Sequence, residues 1–130
     1  MIDIKILRRA VILGAILEAA LVLGGWYWPD GRHGLLFGAM LISAVAGMIY
    51  ARDLGRGFGS GILGGTLTGA ACGIVAVVGA EFLGIEHQTY IPYGVLVLTL
   101  TGAVGGLFGE LDARLRAYIL RKLSVDNSGQ

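Results

Sequence analysis

A single carboxyl group, Glu18, interrupts the first long apolar stretch of this sequence. The stretch covers residues 10–28 and centres on residue 19, so a helix that crosses a bilayer here places Glu18 near the midplane. An ionisable side chain at that depth is costly and is by default a candidate functional group. No Lys or Arg lies at the same depth to pair with it, and desolvation favours the neutral, protonated carboxyl. We therefore interpret Glu18 as a candidate site for a proton or a cation.

Short polar side chains recur at a similar depth in the other apolar stretches of the chain. A carboxyl that holds either a proton or a cation, but not both, is what a proton-coupled carrier or an ion path needs. The alternative interpretation is structural: a protonated Glu18 donates a hydrogen bond between helices, and the hydroxyls bond to carbonyls of their own helices. The residues that we group with Glu18 as candidates are Ser43, Thr68 and Thr101, with Cys72 and Thr99 in the same layer.

Four apolar stretches of this chain are long enough to position these side chains inside a membrane. The sequence is 55% hydrophobic and only 15% charged, whereas soluble domains carry about 25% charged residues. We expect an all-α, polytopic membrane protein, with one four-helix transmembrane domain over residues 1–123 and a flexible tail over residues 124–130. The expected spans are residues 10–28, 34–50, 58–83 and 93–109.

The basic residues predict how this bundle is oriented. With four spans, nine of the ten Lys and Arg residues fall on one side of the membrane, and Arg32 alone falls on the other. The positive-inside rule then places both termini in the cytoplasm of a protein of the inner or plasma membrane. The nine are Lys5, Arg8, Arg9, Arg52, Arg56, Arg114, Arg116, Arg121 and Lys122.

Glycines mark one face of the third span. Small residues allow helix backbones to approach closely inside lipid, where water does not drive association. We expect the glycine face to pack against other helices, and we leave open whether these belong to the same chain or to a second one. The opposite face should meet lipid through Ile62, Leu63, Leu67, Ile74, Val77 and Val78. The predicted packing glycines are Gly57, Gly61, Gly65, Gly69 and Gly73 in the third span, and Gly102 and Gly106 in the fourth.

The segment that follows the fourth span has the pattern of an amphipathic helix. Apolar residues stand at 111, 115, 118, 119 and 123 of residues 110–123, and basic residues lie between them. Two interpretations stay open. The helix lies on anionic lipid, or it extends the fourth span and packs on its own protein.

Several classes of function are disfavoured by what the sequence contains. A net charge of +1 offers no electrostatic footprint for nucleic acid, and Cys72 is the single cysteine. The G-x-G-x-x-G match at residues 59–64 lacks the preceding strand that a dinucleotide site requires. His33, Glu86 and His87 lie in short loops without a metal-binding spacing. We expect no cofactor, no metal site and no catalytic residues, and therefore no enzyme.

The sequence GAILEA around Glu18 resembles the first helix of the small multidrug resistance transporters. That resemblance implies a four-helix membrane transporter with a carboxyl midway along its first span. It covers a handful of residues. The third span lacks that family's Trp and Gly pattern and a basic helix follows the fourth span, so no binding residues are carried over.

Three functions follow from these observations, and the sequence leaves all of them open. The first is a proton-coupled carrier or ion path that uses Glu18. The second is a non-catalytic membrane subunit that docks onto another membrane protein through its glycine faces. The third is a holin-like pore that self-assembles as a homo-oligomer.

Overall fold

The computed structural model describes residues 2–28, 30, 34–85 and 91–128, and it is all-α over these ranges. Three segments, Leu35–Leu54, Phe58–Phe82 and Pro92–Ser124, are long and apolar enough to cross a membrane. The first helix is not among them, so the prediction that residues 10–28 also cross the membrane, which would make four spans in all, stays a prediction. The helices are α1 (Ile4–Tyr27), α2 (Leu35–Leu54), α3 (Phe58–Phe82) and α4 (Ile91–Ser128).

Local sequence signals explain where these helices begin and end. Asp3 caps α1, because its carboxylate accepts hydrogen bonds from the backbone N–H groups of Lys5 and Ile6 at 3.0 and 3.4 Å. The tight connection from α2 to α3 uses two glycines at positive φ, Gly55 at 54° and Gly57 at 109°. Side chains are disfavoured at both positions, so this turn depends on glycine. The predicted loop residues Arg32, His33, Glu86 and His87 lie outside the described residues.

The fourth helix is longer than the sequence pattern suggested. It runs without a break for 38 residues, about 57 Å at 1.5 Å per residue, so residues 110–123 continue the apolar part rather than forming a separate helix. It also continues to Ser128, past the predicted start of the flexible tail. The first turns of this segment contact the rest of the chain through Glu110, Asp112 and Arg114, but its apolar stripe does not. Its apolar side chains Leu111, Leu115, Tyr118, Ile119 and Leu123 are all exposed.

The helices are arranged so that successive ones run in opposite directions. The helix α1 packs against α2 and α3, and α4 packs against α2 and α3 as well. Ala10, near the start of α1, clusters with Tyr50 and Leu54 near the end of α2. Arg52 of α2 lies 3.9 Å from the Asp112 carboxylate of α4. These contacts bring the start of α1, the end of α2 and the second half of α4 to one end of the bundle.

We call this end the basic end. Every Lys and Arg of the described residues belongs to it, which agrees with the grouping that the sequence predicted. The Arg114 guanidinium also lies 4.1 Å from the centre of the Phe58 ring, which connects α4 to the first turn of α3 at the same end. The other end of the bundle, where α1 ends and α2 begins, is called the opposite end below.

The helices α3 and α4 approach each other through glycines. A Cβ atom added at Gly65 would collide with the carbonyl oxygen of Gly102, and one added at Gly69 would lie 2.6 Å from the carbonyl oxygen of Leu98. Gly61 faces the carbonyl oxygen of Gly106 in the same way, at 3.1 Å. Backbone therefore contacts backbone along this seam.

One residue of α3 and the glycine that precedes it differ from the sequence prediction. Gly57 is not part of the packing row, because it precedes the helix and nothing lies within 4 Å of the position that its Cβ would take. Its positive φ makes it a turn residue instead. Val77 was assigned to the lipid-facing side, but it is buried at 6% exposure. Near its C-terminus α3 is covered by both α1 and α4, and this widens its buried face.

The helix α4 uses a second set of glycines against α2. Added Cβ atoms at Gly105 and Gly109 would collide with the carbonyl oxygens of Ala44 and Met48, and one at Gly47 would collide with that of Gly102. One helix thus makes close backbone contacts on two sides.

A matched pair of substitutions in α3 tests the α3–α4 contact. We expect Gly65→Ala to lower the free energy of unfolding by about 1–3 kcal/mol or more, because the new methyl group meets a carbonyl oxygen that is fixed in a helix. Gly59→Ala should cause no such loss, because nothing lies within 4 Å of its Cβ position. Denaturant titration in detergent micelles, followed by circular dichroism, measures both. Equal stabilities of the two variants would contradict the contact.

Candidate functional site

The position of Glu18 follows from the spacing of the buried residues in α1. These residues recur every three or four positions, so they share one face of the helix. The outward face carries the exposed side chains of Ile12, Leu13, Ile16 and Leu17. The buried set is Ala10, Gly14, Glu18, Val22 and Gly25. Glu18 therefore points into the protein, and its exposed fraction is 0%.

The Glu18 side chain lies at the junction of α1, α2 and α3. One turn before it, the Cβ position of Gly14 is occupied by the Cys72 sulfur of α3, and the Ala46 methyl group of α2 lies 3.1 Å away. One turn after it, Val22 lies 3.5 Å from the Cβ position of Gly79.

The Glu18 carboxyl has no hydrogen-bond partner in the described part of the chain. Both of its oxygens, Oε1 and Oε2, are buried and unpaired. Buried polar groups in proteins are nearly always hydrogen-bonded, and an unpaired carboxylate removed from water is far more costly than a neutral carboxylic acid. A proton on Glu18 is therefore the least costly way to keep this side chain inside the bundle.

The hydroxyls that the sequence grouped with Glu18 donate their hydrogen bonds elsewhere. Ser43 donates across the helix interface to the carbonyl oxygen of Leu98 at 2.7 Å, and Thr68 donates to the carbonyl oxygen of Gly64 in its own helix at 2.8 Å. Thr101 donates within α4, to the carbonyl oxygens of Val97 and Leu98 at 3.1 and 3.0 Å, and Thr99 also bonds within α4. The structure does not bring these hydroxyls together around Glu18 as a set of ligands.

The structural interpretation of the sequence was that Glu18 donates a hydrogen bond between helices and that the hydroxyls bond to their own helices. The structure agrees with this for some of the hydroxyls. Thr68, Thr99 and Thr101 bond to their own helices, as that interpretation states, whereas Ser43 joins α2 to α4. Glu18 does not follow it, because no acceptor stands within hydrogen-bond distance of its carboxyl in the described residues.

A small cavity begins one helical turn beyond Glu18, towards the opposite end. Its volume is about 40 Å³, and it lies where all four helices approach each other. Its walls are apolar side chains and one glycine, and Glu18 itself does not line it. The lining residues are Leu21, Val22, Leu35, Leu36, Ala39, Ala76, Val77, Ala80, Gly94 and Leu98.

A second buried carboxyl, that of Glu110, was missed by the sequence interpretation. The sequence pattern predicted that Glu110 belongs to a cytoplasmic amphipathic helix, but Glu110 is only 2% exposed. Its Oε1 accepts a hydrogen bond from Arg114 Nε at 3.2 Å, and its Oε2 is buried without a partner. The signal was present in the spacing, because Glu110 follows Gly102 and Gly106 in the same four-residue row and so faces α3 with them.

Metal binding is not favoured by the described residues, which contain no group of three or more His, Cys, Asp or Glu side chains able to hold an ion. Comparison with known proteins adds no assignment: no family model, no curated protein and no solved structure matches this chain. The fold defines an all-α protein with three helices that are long and apolar enough to cross a membrane. Its candidate site is a buried carboxyl, Glu18, at the junction of three helices.

The hydrogen bond of Ser43 gives a direct test of the helix interface. We expect Ser43→Ala to lower the free energy of unfolding by about 0.5–1.5 kcal/mol, because it removes the hydroxyl that joins α2 to α4. Thr99→Val is the control, since it removes a hydroxyl that bonds only within α4. Thermal unfolding in detergent measures both variants. A larger loss in Thr99→Val than in Ser43→Ala would refute this assignment.

Proposed function

We propose that this protein is a four-span membrane protein that carries or conducts protons by means of Glu18. The observation that supports this most directly is a carboxyl that is 0% exposed and has two unpaired oxygens. Inside a membrane such a group can bind and release a proton, whereas a purely structural acid would be expected to hydrogen-bond to a neighbour.

The proposed topology adds α1 as a fourth span. With 24 residues, α1 is about 36 Å long, enough to cross the roughly 30 Å hydrocarbon core. It packs alongside α2 and α3, which are both apolar enough to cross, and its outward face is apolar. The clustering of the basic residues at one end supports placing that end, with both termini, in the cytoplasm.

The surroundings of Glu18 favour a proton over a metal cation. A dehydrated metal ion needs several oxygen ligands; Ca²⁺ and Mg²⁺, for example, take about six. The hydroxyls of Ser43 and Thr68, which the sequence grouped with Glu18, donate to backbone carbonyls, and Glu18 would supply the one charged ligand among the described residues at this junction. A proton requires no further ligand. The cavity beside Glu18, at about 40 Å³, is also far below the 300 Å³ or more of a typical site for an organic ligand.

The glycine faces favour the carrier over the two other functions. Docking onto another membrane protein, or lining a self-assembled pore, requires small-residue faces that are free. The faces of Gly61, Gly65 and Gly69 already contact α4 of the same chain. We therefore propose that the glycines hold the bundle together tightly, and that the small-residue contact is within the chain.

Proton flux in liposomes tests this function. We expect wild-type protein to dissipate an imposed pH gradient, and Glu18→Gln to lose this activity, because the amide cannot bind and release a proton in this way. Glu81→Gln is the matched control, since Glu81 lies on α3 near its C-terminal end, with one buried and unpaired oxygen. A pyranine-loaded vesicle assay gives the rates.

The proposal fails if the wild type and Glu18→Gln transport protons equally, or if neither does so above empty liposomes. Circular dichroism and size-exclusion chromatography establish that each variant is folded before its flux is compared.

A further inference from the structure

We propose that Glu18 exchanges its proton with the opposite end of the bundle, through the apolar cavity, and that packed side chains close the path to the basic end. This inference rests on the proposed function, because it assumes that Glu18 binds and releases a proton. It adds the direction of access in this conformation.

The cavity provides a route from Glu18 towards the opposite end. Leu35 and Leu36 belong to the first turn of α2, Ala80 lies near the end of α3, and Gly94 lies in the first turns of α4. Val22 lines the same cavity from α1, four residues after Glu18 and therefore about 6 Å along the helix. The cavity thus extends from the opposite end to within one turn of the carboxyl.

The size of the cavity suits water and little else. Its volume of about 40 Å³ exceeds the roughly 10–15 Å³ that one water molecule requires. Apolar walls disfavour permanent water, so the cavity should be wetted transiently, as in hydrophobic gates. Glu18 does not line the cavity but lies one helical turn beyond its inner limit, and its carboxyl is a polar group to which an entering water can hydrogen-bond. A short-lived chain of waters can then carry a proton to or from the carboxyl.

Two successive layers of side chains close the route on the other side of Glu18. In the first layer, the Cys72 sulfur occupies the space beside Gly14, and the methyl group of Ala46 completes the contact. In the second layer, the ring of Tyr50 fills the space beside Gly64 and packs against Ala10. Neither glycine has room for a Cβ atom, so the packing leaves no space for water beside these glycines.

The groups that face Glu18 do not provide a charge that would override this asymmetry. Among the described residues, Cys72 on α3 and Tyr50 on α2 belong to the two closing layers, and Ser43 and Thr68 contribute hydroxyls. The buried Glu110 lies at the basic end and is paired with Arg114, and Glu81 lies near the opposite end of α3. The direction of proton access is therefore decided by packing rather than by a fixed charge.

Thiol labelling tests the route, and the native Cys72 serves as an internal control. Ala76→Cys and Ala39→Cys each introduce a second thiol into the cavity wall, at positions that are 6% exposed, whereas Cys72 is 0% exposed and lies in the closed layer. Methyl methanethiosulfonate is small and uncharged. A thiolate attacks its sulfur, forms a methyl disulfide and releases methanesulfinate. We expect the cavity thiol to react about tenfold faster than Cys72 or more, because thiolate chemistry requires contact with water.

Peptide mass spectrometry of the vesicle-embedded protein locates the methylthio groups. Faster labelling of Cys72, or equal labelling of Cys72 and the cavity thiols, overturns the inference. Neither result depends on whether Glu18 transports protons, so the route and the proposed function can fail separately.

Infrared spectroscopy connects the route to Glu18. The carbonyl band of its protonated carboxyl is identified by its absence in Glu18→Gln, and its shift in D₂O reports proton exchange. Ala76→Val fills the cavity and should slow this shift about tenfold, because it expels the water that carries the proton. Ala19→Val, on the exposed face of α1, is the control. An unchanged exchange rate in both Ala76→Val and Ala39→Val overturns the route, whereas a carboxyl band that does not titrate with pH overturns the proposed function itself.

Discussion

The close approach of α3 to α4 is the contact on which the rest of this structure depends. Gly65 and Gly69 bring the backbone of α3 against the carbonyl oxygens of Gly102 and Leu98. At this separation the two helices leave no space for side chains between them. Inside lipid, where the hydrophobic effect gives no drive for helices to associate, such contact is the main source of attraction. Glycines weaken a helix in water, but here they leave room for the close approach of α3 to α4.

This packing also explains how Glu18 is held. Since α3 and α4 contact each other through backbone, the remaining buried face of α3 is free to receive α1. Cys72 meets Gly14 on that face, and Val22 lies against Gly79. Glu18 lies between these two contacts and is enclosed without a polar partner. On the side of the basic end, Cys72 and Ala46 fill the space beside Gly14, and on the other side a cavity of about 40 Å³ begins.

The second buried acid, Glu110, differs from Glu18 in its hydrogen-bond partners. Glu110 lies at the basic end, where α4 leaves the apolar part of the bundle, and it accepts a hydrogen bond from Arg114. That guanidinium also lies over the Phe58 ring, so the charge connects α4 to α3. Among the described residues, Glu18 has no such basic partner. A paired carboxylate suits a structural contact, whereas an unpaired one favours protonation.

The sequence by itself determined the helical class, the approximate limits of the apolar helices and the grouping of the basic residues, and it indicated Glu18 as a candidate functional group. These features depend on the length of each apolar stretch and on the positions of charged residues, which can be read from one segment at a time. The tertiary structure decided what depends on two segments meeting: that Ser43 bonds to Leu98, that Val77 and Glu110 are buried, that Gly57 is a turn residue, and that α4 continues to Ser128. Spacing reports which face of a helix a residue occupies, but not which backbone lies opposite, because that is set by how closely the helices can approach.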